Sequence, residues 1–149
     1  MKISEPFLLQ TLSIAQSAKD HGNHPFGALL VHQDRVIATA ENSVVSNCDV
    51  TAHAEMNLVR QAYGKFSQEV LQESVLYSST EPCAMCCGAI YWAGVGSVVF
   101  GCSNKTLSEI AGRSLEIPCS EIFQRGSRSV LVLGPVLEER LKVIHVGFW

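Results

Sequence analysis

The run Ser74-Val-Leu-Tyr-Ser-Ser-Thr-Glu-Pro-Cys83-Ala-Met-Cys86-Cys-Gly-Ala-Ile-Tyr-Trp-Ala93-Gly-Val-Gly-Ser97-Val-Val-Phe-Gly101 decides the fold. Residues 74–79 have the apolar, aromatic content of a strand, and Pro82 then stands at the first turn of a helix, where its missing N–H is not needed. The helix runs to about Ala93, is ended by Gly94 and Gly96, and gives way to a second apolar strand over 97–101. Strand, helix and strand in so short a span predict parallel strands in a sheet covered by helices.

Outward from that run the pattern continues. Ser4, Glu5 and Pro6 open a helix carried by Phe7, Leu8, Leu12, Ile14, Ala15 and Ala18 and closed before His21-Gly22-Asn23. Residues 28–32, a Gln33-Asp34 turn and residues 35–40 read as a hairpin, its unbroken apolar first strand marking burial on both faces. The polar stretch 42–50 predicts a loop, and a second helix spans 53–62 before Gly64. After residue 101 come a helix over 104–111, a looser helical stretch at 120–124, a strand at 129–133 and a final helix from about Val136. The sum is an α/β fold: a three-layer α/β/α sandwich around a mixed five-stranded sheet.

Composition narrows the setting. At 149 residues, 47% hydrophobic and 17% charged, the chain has room for one domain, 1–149, with a substantial core. No apolar stretch reaches membrane-spanning length, and Met1 to Phe7 lack the features of a secretory leader, so the expected location is cytoplasmic, without membrane partners. Six cysteines in such a setting are expected as reduced thiols. A net charge of −3 and a pI near 5.9 argue against a nucleic-acid footprint, and Arg113, Arg125 and Arg128 are scattered rather than clustered.

The chemistry concentrates in His53-Ala54-Glu55 and Pro82-Cys83-Ala84-Met85-Cys86. His53 and Glu55 begin one helix, while Cys83 and Cys86 share one face at the start of another, so two helix N-termini can converge. Their positive dipole ends favour thiolate. Two thiolates and an imidazole suit zinc with a fourth position open to water, and the expected cofactor is one Zn²⁺ per chain. Because two thiolates offset the charge of the ion, a neighbouring base is needed, and Glu55 is the residue expected to take the proton of the attacking water. The alternative is a structural site closed by Cys87 or Cys48, which leaves Glu55 without a purpose. Otherwise Cys48, Cys87, Cys102 and Cys119 read as small buried residues. His21, His24, His32 and His145, lacking metal-like spacing, read as surface or loop residues.

These motifs, with Pro25-Phe26-Gly27-Ala28, Asn42, residues 49–52, residues 87–93 and Val98-Val99-Phe100-Gly101, resemble the zinc-dependent cytidine deaminase-like superfamily, specifically its guanine deaminase and tRNA-adenosine deaminase branch, over roughly residues 5 to 105. The resemblance implies His53, Cys83 and Cys86 as zinc ligands and Glu55 as catalytic proton shuttle. It implies Asn42 and the Ala54 N–H as hydrogen-bonding partners of the base, with Phe26 and Trp92 lining the base pocket. On residue type alone Asn42 is a turn former and the two aromatics are core. Val50 replaces the usual proline before Thr51, and Leu107 stands where guanine deaminases carry an aspartate, with Glu109 close by. Phe148 and Trp149 read as a core anchor, a dimer contact or a lid.

The implied activity is hydrolytic deamination of a small-molecule nucleobase or nucleoside with release of ammonia, a purine such as guanine being favoured by the Phe-Gly and Tyr91-Trp92-Ala93 matches. The alternatives are a tRNA-specific adenosine deaminase and a deaminase of cytosine or another pyrimidine or triazine base. A catalytically silent zinc-bearing subunit is disfavoured by the presence of Glu55. A homodimer is the expected assembly.

Overall fold

A computed structural model of the chain describes residues 1–112 and 115–149; Arg113, one of the scattered basic residues, lies outside the described residues. Along the chain run α1 (Glu5–Asp20), β1 (Gly27–His32), β2 (Arg35–Glu41), α2 (Val44–Asn47), α3 (Ala54–Ala62), α4 (Gln68–Glu73) and β3 (Val75–Thr80). After them come α5 (Ala84–Ala93), β4 (Ser97–Cys102), α6 (Asn104–Ala111), α7 (Cys119–Gln124), β5 (Leu131–Leu133), α8 (Glu138–Leu141) and a 3₁₀ turn (Lys142–His145).

Among the described residues the strands form one sheet in the order β2-β1-β3-β4-β5. β1 runs antiparallel to both of its neighbours, β2 and β3, while β3, β4 and β5 are parallel, so the sheet is mixed as the sequence predicts. The hairpin turns at Gln33 and Asp34, both with positive φ (48° and 58°), the twist that matches right-handed strands.

Period-two alternation divides the core. Ala28, Leu30, Leu76 and Val98 point to one face and pack with Leu58 of α3 and Ile90 of α5. Leu29, Val31, Tyr77 and Val99 point to the other and pack with Leu8 of α1, Leu107 of α6 and Leu141 of α8. Both faces are therefore covered, which explains why β1 and β4 read as unbroken apolar runs.

The α5–β4 turn needs its glycines. Gly94 has φ 90°, and a Cβ at Gly96 would run into the Gln72 carbonyl. Two short helices fall outside the sequence prediction: α2 lies within the expected loop, and α4 is capped by Ser67, whose Oγ accepts from the Val70 N–H at 3.3 Å. The predicted final helix is a short α8 continued as a 3₁₀ turn. Among the described residues no helix is long and apolar enough to cross a membrane.

Candidate active site

The starts of α3 and α5 meet at the C-terminal end of β3. His53 and Cys83 are the residues just before the two helices, and Cys86 lies in the first turn of α5. His53 Nδ1 is 3.6 Å from each sulfur, and the two sulfurs are 3.7 Å apart. A tetrahedral zinc ion with ordinary Zn–S and Zn–N bonds requires about 3.8 Å between sulfurs and about 3.6 Å from sulfur to nitrogen. The donor set therefore fits zinc in both type and spacing. Neither candidate fourth ligand joins it: Cys87 Sγ is turned to the Pro82 carbonyl at 3.4 Å and Cys48 is exposed. Among the described residues the cluster stops at three ligands, the pattern of a catalytic rather than a structural site.

The two sulfurs titrate apart. Cys83 is held down to about 4, first by its hydrogen bond to Cys86 and then by His53, while that same bond, burial and the nearby Glu55 carboxylate push Cys86 up. The hydrogen bond between them favours thiolate at Cys83 and thiol at Cys86, and a dication held there would favour thiolate at both. His53 is raised, chiefly by its hydrogen bond to Cys83.

Glu55 is buried, and burial lifts its carboxyl above the usual carboxylate range. Its two oxygens have different surroundings. Oε1 accepts from Ser78 Oγ at 2.9 Å, whereas Oε2 lies 3.6 Å from Cys86 Sγ and faces the ligand cluster. One oxygen anchors the side chain and the other is turned to the ligand cluster.

A cleft of about 590 Å³ opens over these groups. Its walls include His24, Phe26, Thr80, Leu107 and Trp149. Phe26 is thus among the residues lining this cleft. Trp92 is not: it is 81% exposed and lies beside Met56, Val59, Tyr63 and Ala89 in a separate surface depression. On α5, Cys86, Ile90 and Ala93 face the core, and Trp92 is rotated by about 200° from Ile90, onto the outer side.

Asn42 is 1% exposed and turns its loop, its Oδ1 accepting from the Val44 N–H at 3.1 Å. Its Nδ2 is buried without a hydrogen-bond partner among the described residues, and its own N–H donates to the Phe26 carbonyl at 3.1 Å. A buried donor left unpaired costs about 1–3 kcal/mol. Ala54 opens α3, where its N–H is one of the donors that a helix leaves unpaired. Asn57 pins the loop, its Nδ2 donating to the Glu41 carbonyl and Ser43 Oγ, both at 2.9 Å.

Three contributors escape the sequence reading. Glu81 is buried and accepts from the backbone N–H groups of Asn104 (2.9 Å) and Cys119 (2.8 Å), tying the starts of α6 and α7 to the Pro82-Cys83 turn. Glu81→Gln replaces one acceptor by a donor facing an N–H, and we expect it to lower stability by about 2 kcal/mol, read as a shifted urea midpoint. His145, read from sequence as a surface or loop residue, is fully buried; its Nε2 lies 3.0 Å from Thr80 Oγ1 and its Nδ1 accepts from Trp149 Nε1–H at 3.3 Å. The apolar Val143-Ile144 preceding it is the one sequence hint of burial. Thr80, the third, is 2% exposed and ends β3 in the cleft.

Residues 1–102 match the family described as "Cytidine and deoxycytidylate deaminase zinc-binding region". The chain is 38% identical to a probable cytosine deaminase of Schizosaccharomyces pombe over 149 residues, covering 96% of this chain and 90% of that protein. It is 37% identical to the guanine deaminase of Bacillus subtilis over 106 residues, 70% of this chain and 68% of that one. Among solved structures, a guanine deaminase from Nitrosomonas europaea superimposes with a TM-score of 0.83 over 97% of this chain and 84% of its own, at 23% identity, a likeness of fold. With its ligand cluster, its buried carboxylate and these matches, the chain belongs to the cytidine and deoxycytidylate deaminase family and is a zinc-dependent hydrolytic deaminase.

Proposed function

We propose that this deaminase acts on a free nucleobase bound in the 590 Å³ cleft, with a cytosine-type pyrimidine as the first candidate substrate. The observation that carries the reading is the C-terminal Trp149, which folds back with Phe26 (ring centroids 6.0 Å apart) to close the cleft with aromatic surface sized for a flat base. Leu107, Ala111 and Leu115 make the far wall apolar, and Glu109 is exposed, outside the lining. A pyrimidine's carbon edge suits that wall. Among the described residues the carboxylates lining the cleft are Glu55 and Glu81, and none is contributed by the wall of Leu107, Ala111 and Leu115 to meet the polar edge of guanine. The full-length relationship to the S. pombe protein supports the same choice. Guanine remains the second reading, favoured by the B. subtilis relative and by the sequence pattern.

His53, Cys83 and Cys86 would hold a zinc ion, which would supply Lewis-acid activation of water. Glu55, anchored by Ser78, takes the water proton at Oε2 and delivers it to the ring nitrogen beside the amine-bearing carbon. The raised affinity of the buried carboxyl for a proton makes it a better base than an exposed glutamate. It then carries the remaining proton of the added hydroxyl to the leaving amine, whose bond to carbon breaks, so water and the aminated base become the oxo base and ammonia. Asn42 Nδ2 and the Ala54 N–H orient the ring by donating to its acceptors.

Among the described residues the cleft lining holds no Lys or Arg, which supports a free base over a tRNA loop. The test compares cytosine with cytidine and with an anticodon stem-loop. We expect kcat/KM for the base to exceed that for the nucleoside by about 10²-fold or more. Deleting Phe148 and Trp149 should raise KM and narrow that gap without loss of zinc; equal use of base and nucleoside by the intact chain would refute the reading.

The exposed Trp92 and Tyr63 with Met56 and Val59 support a homodimer through the α3–α5 face, the assembly that the resemblance implies. Trp92→Lys should then halve the sedimenting mass while leaving the zinc content unchanged. Six cysteines outside any disulfide, two of them in the ligand cluster, suit a reducing compartment, and we infer a cytoplasmic enzyme.

A further inference from the structure

We propose that Thr80 is a specificity-determining residue whose hydroxyl donates a hydrogen bond to an acceptor on the bound base, aimed into the cleft by a chain running from Trp149 through His145. The assignment rests on the free-base reading and deepens it.

The direction of the chain follows from which atoms can donate. An indole nitrogen only donates, so the 3.3 Å contact from Trp149 Nε1 makes His145 Nδ1 an acceptor with no proton of its own. His145 is fully buried among Phe26, Trp149 and Thr80, and that burial holds it down to about 4, hence neutral at ordinary pH. A neutral imidazole without a proton on Nδ1 carries it on Nε2. The 3.0 Å contact is therefore His145 Nε2–H donating to Thr80 Oγ1. With its oxygen engaged as acceptor, the hydroxyl must direct its own proton elsewhere, and Thr80 lines the cleft together with His53 and Glu55. A threonine held this way keeps its one proton for the cleft, and that donor favours a carbonyl oxygen or an unprotonated ring nitrogen, while the second lone pair of Oγ1 stays able to accept.

His145 is a positioning residue in this account. Its ring also packs against Phe26 at 5.2 Å and Trp149 at 6.3 Å, so the chain that orients Thr80 also fixes the aromatic cap. Base selection and closure of the cleft share one anchor.

The test uses the full zinc-loaded chain and pairs each base with an analogue lacking its ring carbonyl: cytosine with 4-aminopyrimidine, and guanine with 2-aminopurine. The wild-type protein should prefer the carbonyl-bearing base. Thr80→Val, of equal shape, should lower kcat/KM for that base by about tenfold or more with unchanged zinc content, and should erase the preference over the analogue. Thr80→Ser should restore most of both. His145→Phe should reproduce the Thr80→Val pattern. Should that variant fail to fold, the Thr80 pair decides alone. A Thr80→Val protein that retains kcat/KM within twofold, or that loses activity equally on base and analogue, overturns the assignment while leaving the free-base reading intact. If the wild-type protein turns over no free base at all, the reading fails and takes the assignment with it.

Discussion

Glu55→Ala retains zinc at one ion per chain and loses about 10⁴-fold in turnover. General acid–base catalysis by one positioned group contributes about 10²–10⁴-fold, and Glu55 serves more than one proton transfer in the proposed cycle, which places the loss at the upper end. Its Oε2 sits 3.6 Å from Cys86 Sγ, close enough to reach a water on the open side of the cluster, yet it completes no ligand set. Stability should move the other way. Burying a carboxyl whose proton affinity is raised by desolvation costs free energy, and Glu55→Gln removes that charge while keeping an acceptor for Ser78. The Gln variant should therefore melt at or above the wild-type temperature while being nearly inactive. Elemental analysis, ammonia release and a thermal melt on the same samples check all three. A variant active within tenfold would remove Glu55 from the mechanism.

Cys86→Ala abolishes zinc binding and, with it, detectable turnover. Two remaining ligands cannot hold the ion against water and cellular chelators, whereas the three donors as placed match its tetrahedral spacing. Cys86 is wholly buried, so the change also opens a small cavity, and the urea midpoint should fall. Cys87→Ala is the informative control. That sulfur faces the Pro82 carbonyl rather than the cluster, and the variant should keep both zinc and activity. If Cys87→Ala lost zinc in proportion, the three-ligand description would be wrong.

The parts of this site that sequence makes legible are local ones. His53, Glu55, Cys83 and Cys86 are placed by spacing along two helix starts, and Pro82 and Gly94 mark where α5 can begin and end. The β1–β2 hairpin and the helices set between the later strands predict the mixed sheet, and the unbroken apolar runs of β1 and β4 register burial on two faces. What sequence does not show depends on distant partners. Glu81 is a motif residue whose carboxylate gains its purpose only when α6 and α7 present their N–H groups to it. His145 is separated from Thr80 by 65 positions, and nothing local says that their side chains meet. Trp92 is the reverse case, an aromatic that sits in a motif and lies on the outer face of the helix that carries it. Helical phase relative to Ile90 and Ala93 would have placed it correctly.

The most direct measurement is ammonia release by the zinc-loaded chain from cytosine, guanine, their nucleosides and an anticodon stem-loop, with Glu55→Ala alongside. The account predicts turnover of a free base, cytosine before guanine, that vanishes with Glu55. Turnover confined to the stem-loop, or free-base turnover that survives the loss of Glu55, would contradict it.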